Sequence, residues 1–287
     1  MAFPICVSRG SGNCPSRALC RFELSKRNVA MAQFLDRAAN KVRRVLTSSC
    51  AKDAFALSGA HGYVSFTLDD FPTSAARTGG AILNKHGAAG TYYVALGLMG
   101  KPSPSGPIAS AEDIRWTIET GHELGCHTFG HLNGAECGGD VFVESIRKNR
   151  EHLLTVVPGV RFADFAYPFD GPGLSVKRAV RGLFRTCRGG GQAIKEGVID
   201  LALLKGFFVD ARNARDVPQL EEVLRRTVER KGWLIFATHD VCEAPSRFGC
   251  TPRDFENIVR MATSSGATVL PVAGVCDAIG VRPMACA

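Results

Sequence analysis

From about residue 62 to residue 272 the chain alternates short apolar, β-rich runs with stretches of helical character, and this rhythm limits the fold more than any other feature. The β-rich runs are YVSFTL (63–68), TYYVAL (91–96), ELGCH (123–127), FADFAYP (162–168), GFFVD (206–210), WLIFATH (233–239) and ATVLPV (267–272). Between them lie helical stretches at 73–87, 111–121, 140–156, 174–182, 216–230 and 252–265. Apolar strands without a polar face are buried on both sides, and strands separated by helices run parallel. The expected fold class is α/β, with a parallel sheet that is open or closed into a barrel. Residues 51–287 are expected to form one catalytic domain.

The formal net charge of +8 is unevenly placed. Residues 1–50 hold nine Lys and Arg against only Glu23 and Asp36, whereas the rest of the chain carries +1. A basic face running across the protein is therefore not expected, and neither is a nucleic-acid partner. Residues 1–50 read as a basic N-terminal extension, irregular over 1–30 and an amphipathic helix near 31–46. The first residues lack the apolar core of a secretory signal. Their Arg- and Ser-containing, acid-poor composition is shared by transit peptides and by disordered basic tails, and a cytoplasmic location is expected. No run approaches the roughly 18 apolar residues of a membrane helix, so no integral membrane segment is expected. The eleven cysteines are odd in number and include no CxxC pair, which points to reduced thiols and not to a disulfide framework.

In parallel α/β folds, functional groups gather at the carboxyl ends of strands. The expected strands here end in Asp69-Asp70, His127, Pro168, Asp210 and His239. In TLDD (67–70), two adjacent carboxylates leave an apolar strand in different directions, so one can bind a metal while the other faces a water. HTFGH (127–131), on a helical turn, puts His127 and His131 on one face. With Asp70 they form a set of two imidazoles and a carboxylate with open positions, the mark of a catalytic site. Such a set suits zinc first, and also cobalt, nickel or manganese. FAYPFDGPG (165–173) and LIFATHD (234–240) deliver Pro168 and His239. Each segment alone has a plain structural reading, such as solvated acids at a turn or a core histidine with a partner. Their order and chemical complementarity favour a site.

These segments, in this order, resemble the NodB-homology polysaccharide deacetylases (carbohydrate esterase family 4), over about residues 62–272. The family's T-F-D-D motif is matched with Leu68 in place of Phe, and its H-[ST]-x-x-H motif is matched in full. The resemblance implies a distorted (β/α) barrel that hydrolyses N-acetyl groups on N-acetylglucosamine-type sugars. It implies that Asp70, His127 and His131 bind one divalent metal, that Asp69 is the general base and that His239 is the general acid. The oxyanion would be held by the metal and by the backbone N–H of Phe169, with Pro168 fixing the turn. Asp210 falls near the motif that tunes the histidine, although VDARN (209–213) lacks the usual Trp. The third-motif Arg that holds the catalytic Asp is replaced here by Ala166, and Arg188 in TCRGGG (186–191) is the candidate substitute.

Phe236 or Trp233 is read as a wall for the acetyl methyl group or as core. Cys126, beside His127, is weighed as a metal ligand and disfavoured on spacing. Thr251 or Ser246 is expected to cap the helix after His239. With two Trp and four Tyr the chain offers few rings to stack on sugars, which favours a short substrate. The leading expectation is an N-deacetylase acting on an N-acetylated carbohydrate. A related metal-dependent amidohydrolase acting on a non-sugar C–N bond is the alternative. An inactive carbohydrate-binding module comes third, because Asp69, Asp70, His127, His131 and His239 are all intact.

Overall fold

The computed structural model describes residues 45–169 and 171–282. Most of the basic extension, including all but the end of the helix expected at 31–46, lies outside the described residues; residues 45–49 are helical. The chain divides into a unit Met1–Leu46 and a unit Thr47–Ala287, and the fold described is that of the second.

The strands are β1 (Ala54–Ala56), β2 (Tyr63–Leu68), β3 (Gly90–Val94), β4 (Glu123–Cys126), β5 (Phe165–Ala166), β6 (Cys187–Gly189), β7 (Val198–Asp200), β8 (Leu204–Lys205), β9 (Phe207–Phe208), β10 (Trp233–Thr238) and β11 (Thr268–Val269). The helices are α1 (Ala81–Lys85, preceded by a π-helical turn, Ala75–Gly80), α2 (Ala111–Glu119), α3 (Gly139–Val156), α4 (Leu174–Val180), α5 (Val217–Glu229), α6 (Pro252–Ser264) and α7 (Val272–Ile279). The main sheet is parallel, in the order β8-β6-β5-β4-β3-β2-β10-β9, with β11 also against β2. Its two ends, β8 and β9, are separated in sequence only by Gly206. One interrupted strand therefore closes the sheet into a nearly complete barrel, as expected from the sequence. The central strands β2, β3 and β10 are buried along their whole length, which matches their apolar runs.

Several elements differ from the sequence expectation. FADFAYP pairs only at Phe165–Ala166, and GFFVD splits at Gly206 because its two halves serve opposite edges of the barrel. The strand β6 and the antiparallel pair β1–β7 have no signal of their own length in the sequence. ATVLPV is a strand only at Thr268–Val269; Pro271 caps a further helix, α7, which packs on Tyr63, Trp233 and Ile235. Trp233 and Phe236 are core side chains and do not wall a pocket. Trp233 stands at the start of β10 with Nε1 donating to Ser65 Oγ (3.0 Å), and Phe236 stacks on Phe66 and meets Phe207 edge to face.

Helix α7 seals the amino-terminal end of the barrel. Its first N–H groups donate to Thr91 Oγ1 (2.9 Å) and Glu123 Oε2 (3.0 Å), on the first turns of β3 and β4. A carboxylate at a helix N-terminus satisfies free amides and complements the helix dipole. Close by, Asp164 is fully enclosed and accepts from Thr186 Oγ1 (2.6 Å). Burial, reinforced by Glu123, pushes the Asp164 carboxyl up to about 7 from the ordinary 3.8. Sealing one end leaves the other, where the strands' carboxyl ends emerge, as the open face.

Because the folded state holds this proton more tightly than the unfolded chain, the stability it contributes is complete below about pH 4 and is lost as pH rises through about 7. Asp164→Asn should remove much of that slope and raise stability at neutral pH. Urea denaturation midpoints at about pH 5 and about pH 8 check this, and an Asn variant with the wild-type slope contradicts it.

Candidate active site

Seven residues from five strands converge at the open end. Asp69 and Asp70 follow β2, and the Asp69 N–H donates to Thr238 O (2.8 Å) across to β10, whose next residue is His239. His127 follows β4, with its N–H on Val94 O (3.1 Å). Pro168 and Phe169 follow β5, and Arg188 lies on β6. Asp70, Phe71, Thr128, His131 and Phe169 all have positive φ, between 53° and 61°. Non-glycine residues avoid this region, so such clustering marks turns forced by their surroundings. Phe71 supplies one such force: its ring is fully buried against Tyr92 and its carbonyl accepts from Ala109 N–H (2.9 Å).

The segment 127–131 is not the helical turn expected. It is a bent loop with Thr128 and His131 in the left-handed region, and Leu132 N–H bonds to the Thr128 hydroxyl (3.0 Å). The two imidazoles nevertheless converge. Asp70 Oδ1 lies 3.4 Å from His127 Nε2 and 3.0 Å from His131 Nε2, and the potential ligand atoms of all three residues lie within 4.8 Å of one another. His127 Nδ1 faces Ala166 O at 2.8 Å. A carbonyl only accepts, so Nδ1 carries the hydrogen and Nε2 turns its lone pair toward Asp70. Asp70 Oδ1 is buried without a hydrogen-bond partner. Burial alone would raise the Asp70 carboxyl, yet His127 and His131 hold it well below the usual carboxylate range. Burial holds the His127 imidazole low, favouring its neutral form. A buried anionic oxygen facing the Nε2 lone pair of His127, with His131 Nε2 beside it, is a site that fits a cation. Cys126 is not part of it: the thiol is buried, accepts from Asn149 Nδ2 (3.3 Å), and is pushed up to about 11 by burial.

Asp69 points elsewhere. Its Oδ1 accepts from Arg188 Nη2, and both side chains are buried. The guanidinium lies between the rings of Tyr93 (5.0 Å) and Phe208 (5.5 Å). Ala166 on β5 is the direct register partner of Arg188 on β6. The cation reaching Asp69 thus comes from the strand next to the one on which the family carries it, and Ala166 leaves room for it. Gly206 also yields space, since a Cβ there would stand 3.2 Å from Arg188 Cδ.

His239 Nε2 lies 3.9 Å from Asp70 Oδ2. Its Nδ1 is buried and has no hydrogen-bond partner among the described residues. Asp210 does not hold it: that carboxylate receives the Arg212 backbone N–H (2.9 Å) and its guanidinium. The His239 ring instead lies between Phe208 (6.2 Å) and Phe248 (5.3 Å). Phe248 is set by a strap that folds back on Asp240, which accepts from Ser246 N–H and Oγ (both 2.6 Å). Gly249 packs so closely that a Cβ would stand 2.2 Å from Asp240 O. Ser246 is thus a strap residue, and Thr251 alone caps α6 by accepting from Asp254 N–H (3.2 Å). On the other side Phe169, 57% exposed, lies over His131 (4.8 Å). Sequence reasoning missed Phe208 and Phe248 because it weighed Trp and Tyr, whereas this chain uses Phe.

The arrangement is a metal-capable cluster of one carboxylate and two imidazoles, with a second carboxylate set apart from it. The sequence model of the polysaccharide deacetylase family matches residues 58–181, from ahead of β2 through α4. The match covers somewhat less than half of the chain and makes that segment similar to the family. The matched segment holds Asp69, Asp70, His127, His131 and Pro168; Arg188 and His239 lie beyond it. The fold is shared with the Xyl-CE4 domain of a multidomain xylanase from the hindgut metagenome of Trinervitermes trinervoides (16% identity, 78% of this chain and 94% of that one, TM-score 0.55). It is also shared with a family 4 acetyl xylan esterase from Clostridium thermocellum in complex with a cobalt ion (20%, 77% and 93%, 0.52). A third similar structure is the Bc1960 peptidoglycan N-acetylglucosamine deacetylase (19%, 77% and 90%, 0.50). No curated protein matches the sequence.

Because Arg188 acts on Asp69 from the neighbouring strand, its loss and its relocation make one experiment. Arg188→Ala should lower kcat about 10- to 100-fold with little change in KM. Adding Ala166→Arg should recover part of that loss by returning the cation from β5. Full activity in the single variant, or no recovery in the double variant while both stay folded, contradicts the assignment.

Proposed function

We propose that this protein is a metal-dependent N-deacetylase that removes acetyl groups from an N-acetylated sugar or short oligosaccharide. The observation that carries the reading is the division of labour between two adjacent carboxylates. Asp70 sits with two imidazoles in a cation-binding cluster, while Asp69 is paired with Arg188 and kept out of it.

Asp70, His127 and His131 would hold one divalent ion, with zinc first and cobalt, nickel or manganese also suiting the donors. Such an ion supplies Lewis acidity toward the acyl oxygen and lowers the pKa of water. Asp69, oriented by Arg188, takes the proton of the attacking water. The Phe169 N–H forms no hydrogen bond to another described residue and would donate to the oxyanion, on a turn fixed by Pro168. His239 gives a proton to the departing amine, which leaves poorly as an anion. With Nδ1 unpaired among the described residues, the ring is oriented by its aromatic flanks and not by a carboxylate. Phe169 on one side and Phe248 on the other offer apolar faces to a sugar ring, and two such faces suit a short substrate. The near-neutral body fits an uncharged sugar, and a cytoplasmic location fits soluble substrates.

Acetate release from chitooligosaccharides, N-acetylated nucleotide sugars and small amides tests the reading. Acetate from a sugar is expected. Ammonia or formate from a small amide, without acetate from any sugar, would move the assignment to an amidohydrolase. Asp70→Ala and His127→Ala should lose both bound metal and turnover, whereas Asp69→Asn should keep metal, measured by elemental analysis, and lose turnover. Activity that survives chelation in metal-free protein would sink the mechanism.

A further inference from the structure

A second cluster of charge lies outside this site. On the outer wall a cleft of about 260 Å³ is lined by Lys52, Lys195 and Lys205, with Ile194, Val198 and Leu203 among its apolar walls. Lys195 is the unusual member. Its backbone is locked to Trp233 at the start of β10, with reciprocal hydrogen bonds of 2.9 and 2.8 Å. Its side chain is only 7% exposed. Of its three ammonium donors only one has an acceptor among the described residues, the Ala193 carbonyl at 2.7 Å.

The protein shows elsewhere how it completes a buried ammonium. Lys177, fully buried, donates to Thr47 O (2.8 Å), Cys50 O (2.9 Å) and the Asp200 carboxylate (2.6 Å). Lys195 has no carboxylate. The acids lining the cleft are engaged elsewhere: Asp200 serves Lys177 and the backbone of Asp53 and Ala202, and Glu196 faces Arg230 at 3.7 Å. The charge that acts on Lys195 is a like one, Lys205; burial first, and then that repulsion, push its ammonium down to about 7. Two lysines beside a cavity, with donors to spare and neither of the cleft's carboxylates bonded to them, are in the electrostatic state that an oxyanion relieves.

We propose that this cleft is an anion-binding site, in which Lys195 and Lys205 clasp the oxyanion group of a small phosphate- or carboxylate-bearing ligand and the apolar walls take its hydrocarbon part. It is separate from the metal cluster and does not depend on the deacetylase reading. Strand β8 carries Lys205 and is followed by Gly206, which packs on Arg188, so the cleft and the site share a strand edge.

Calorimetric titration of the full-length, metal-loaded protein with inorganic phosphate, and in parallel with acetate, tests this. Saturable binding of phosphate is expected in wild type and also in Asp70→Ala, where the metal site is disabled. Acetate binding in the same variants would extend the site to carboxylates; phosphate alone would restrict it to phosphate. Lys195→Met and Lys205→Ala should each weaken phosphate by about tenfold or more. Both variants should release acetate from the substrate at the wild-type rate. Lys195→Met removes a buried charge and should be at least as thermostable as wild type, and Lys205→Ala, being less buried, guards against misfolding of the first. No saturable binding in wild type overturns the proposal. So does binding that disappears in Asp70→Ala yet persists in both lysine variants, because the anion then sits at the metal site.

Discussion

Two carboxylates on adjacent residues cannot both be buried without cations, and the active end of this protein is organised around how each finds one. Asp69 takes a guanidinium from across the barrel, and Asp70 faces two imidazoles in a cluster that fits a metal. Removing either partner would leave an uncompensated buried charge, which is far costlier than the pair itself. This need accounts for features that otherwise look unrelated. Ala166 is small, Gly206 lacks a Cβ where the guanidinium passes, and Tyr93 lies flat under it. Tyr93 in turn requires Gly125, because a Cβ there would stand 2.3 Å from its ring.

How much of this the sequence carries depends on whether a relationship is local. The apolar runs of β2, β3 and β10, buried on both faces, make the parallel sheet legible, and strand ends make Asp69, Asp70, His127 and His239 legible. The cation of Asp69 is a different matter. Arg188 and Asp69 are 119 positions apart, and only the register of two short strands shows that Ala166 and Arg188 are neighbours. A vacancy where an Arg belongs is readable in the sequence, but the side from which it is filled is not. Asp210 misleads for the same reason in reverse: it sits at the right strand end, but the nearby Arg212 takes its carboxylate. For α7 the error is one of period, since ATVLPV has β composition and only Pro271 hints that a helix starts there.

The site also concentrates strain. Five non-glycine residues with positive φ lie within one end of the barrel, each disfavoured by about 1 kcal/mol or more. Such turns persist only where packing overrides them, and here the packing is specific: Phe71 in the core, Phe129 held by Ser145, and the Asp240 strap behind His239. The same turns explain why HTFGH meets its task without a helix. Left-handed turns at Thr128 and His131 bring Nε2 of both imidazoles to Asp70, where a helical turn had seemed necessary.

The opposite end shows the complementary choice. There several polar groups find partners within the protein: Thr91 and Glu123 hold the N-terminus of α7, Thr186 holds Asp164, and one Arg185 nitrogen is tied to Asp277 and Val281. These internal hydrogen bonds fasten the lid and rigidify that end of the barrel. At the open end Asp70 Oδ1 has no hydrogen-bond partner among the described residues and stands beside two imidazoles, where a cation would be. The convergence of an unpaired carboxylate oxygen with two imidazoles, beside a second carboxylate held by Arg188, distinguishes a reactive site from a structural cluster more than any single motif does.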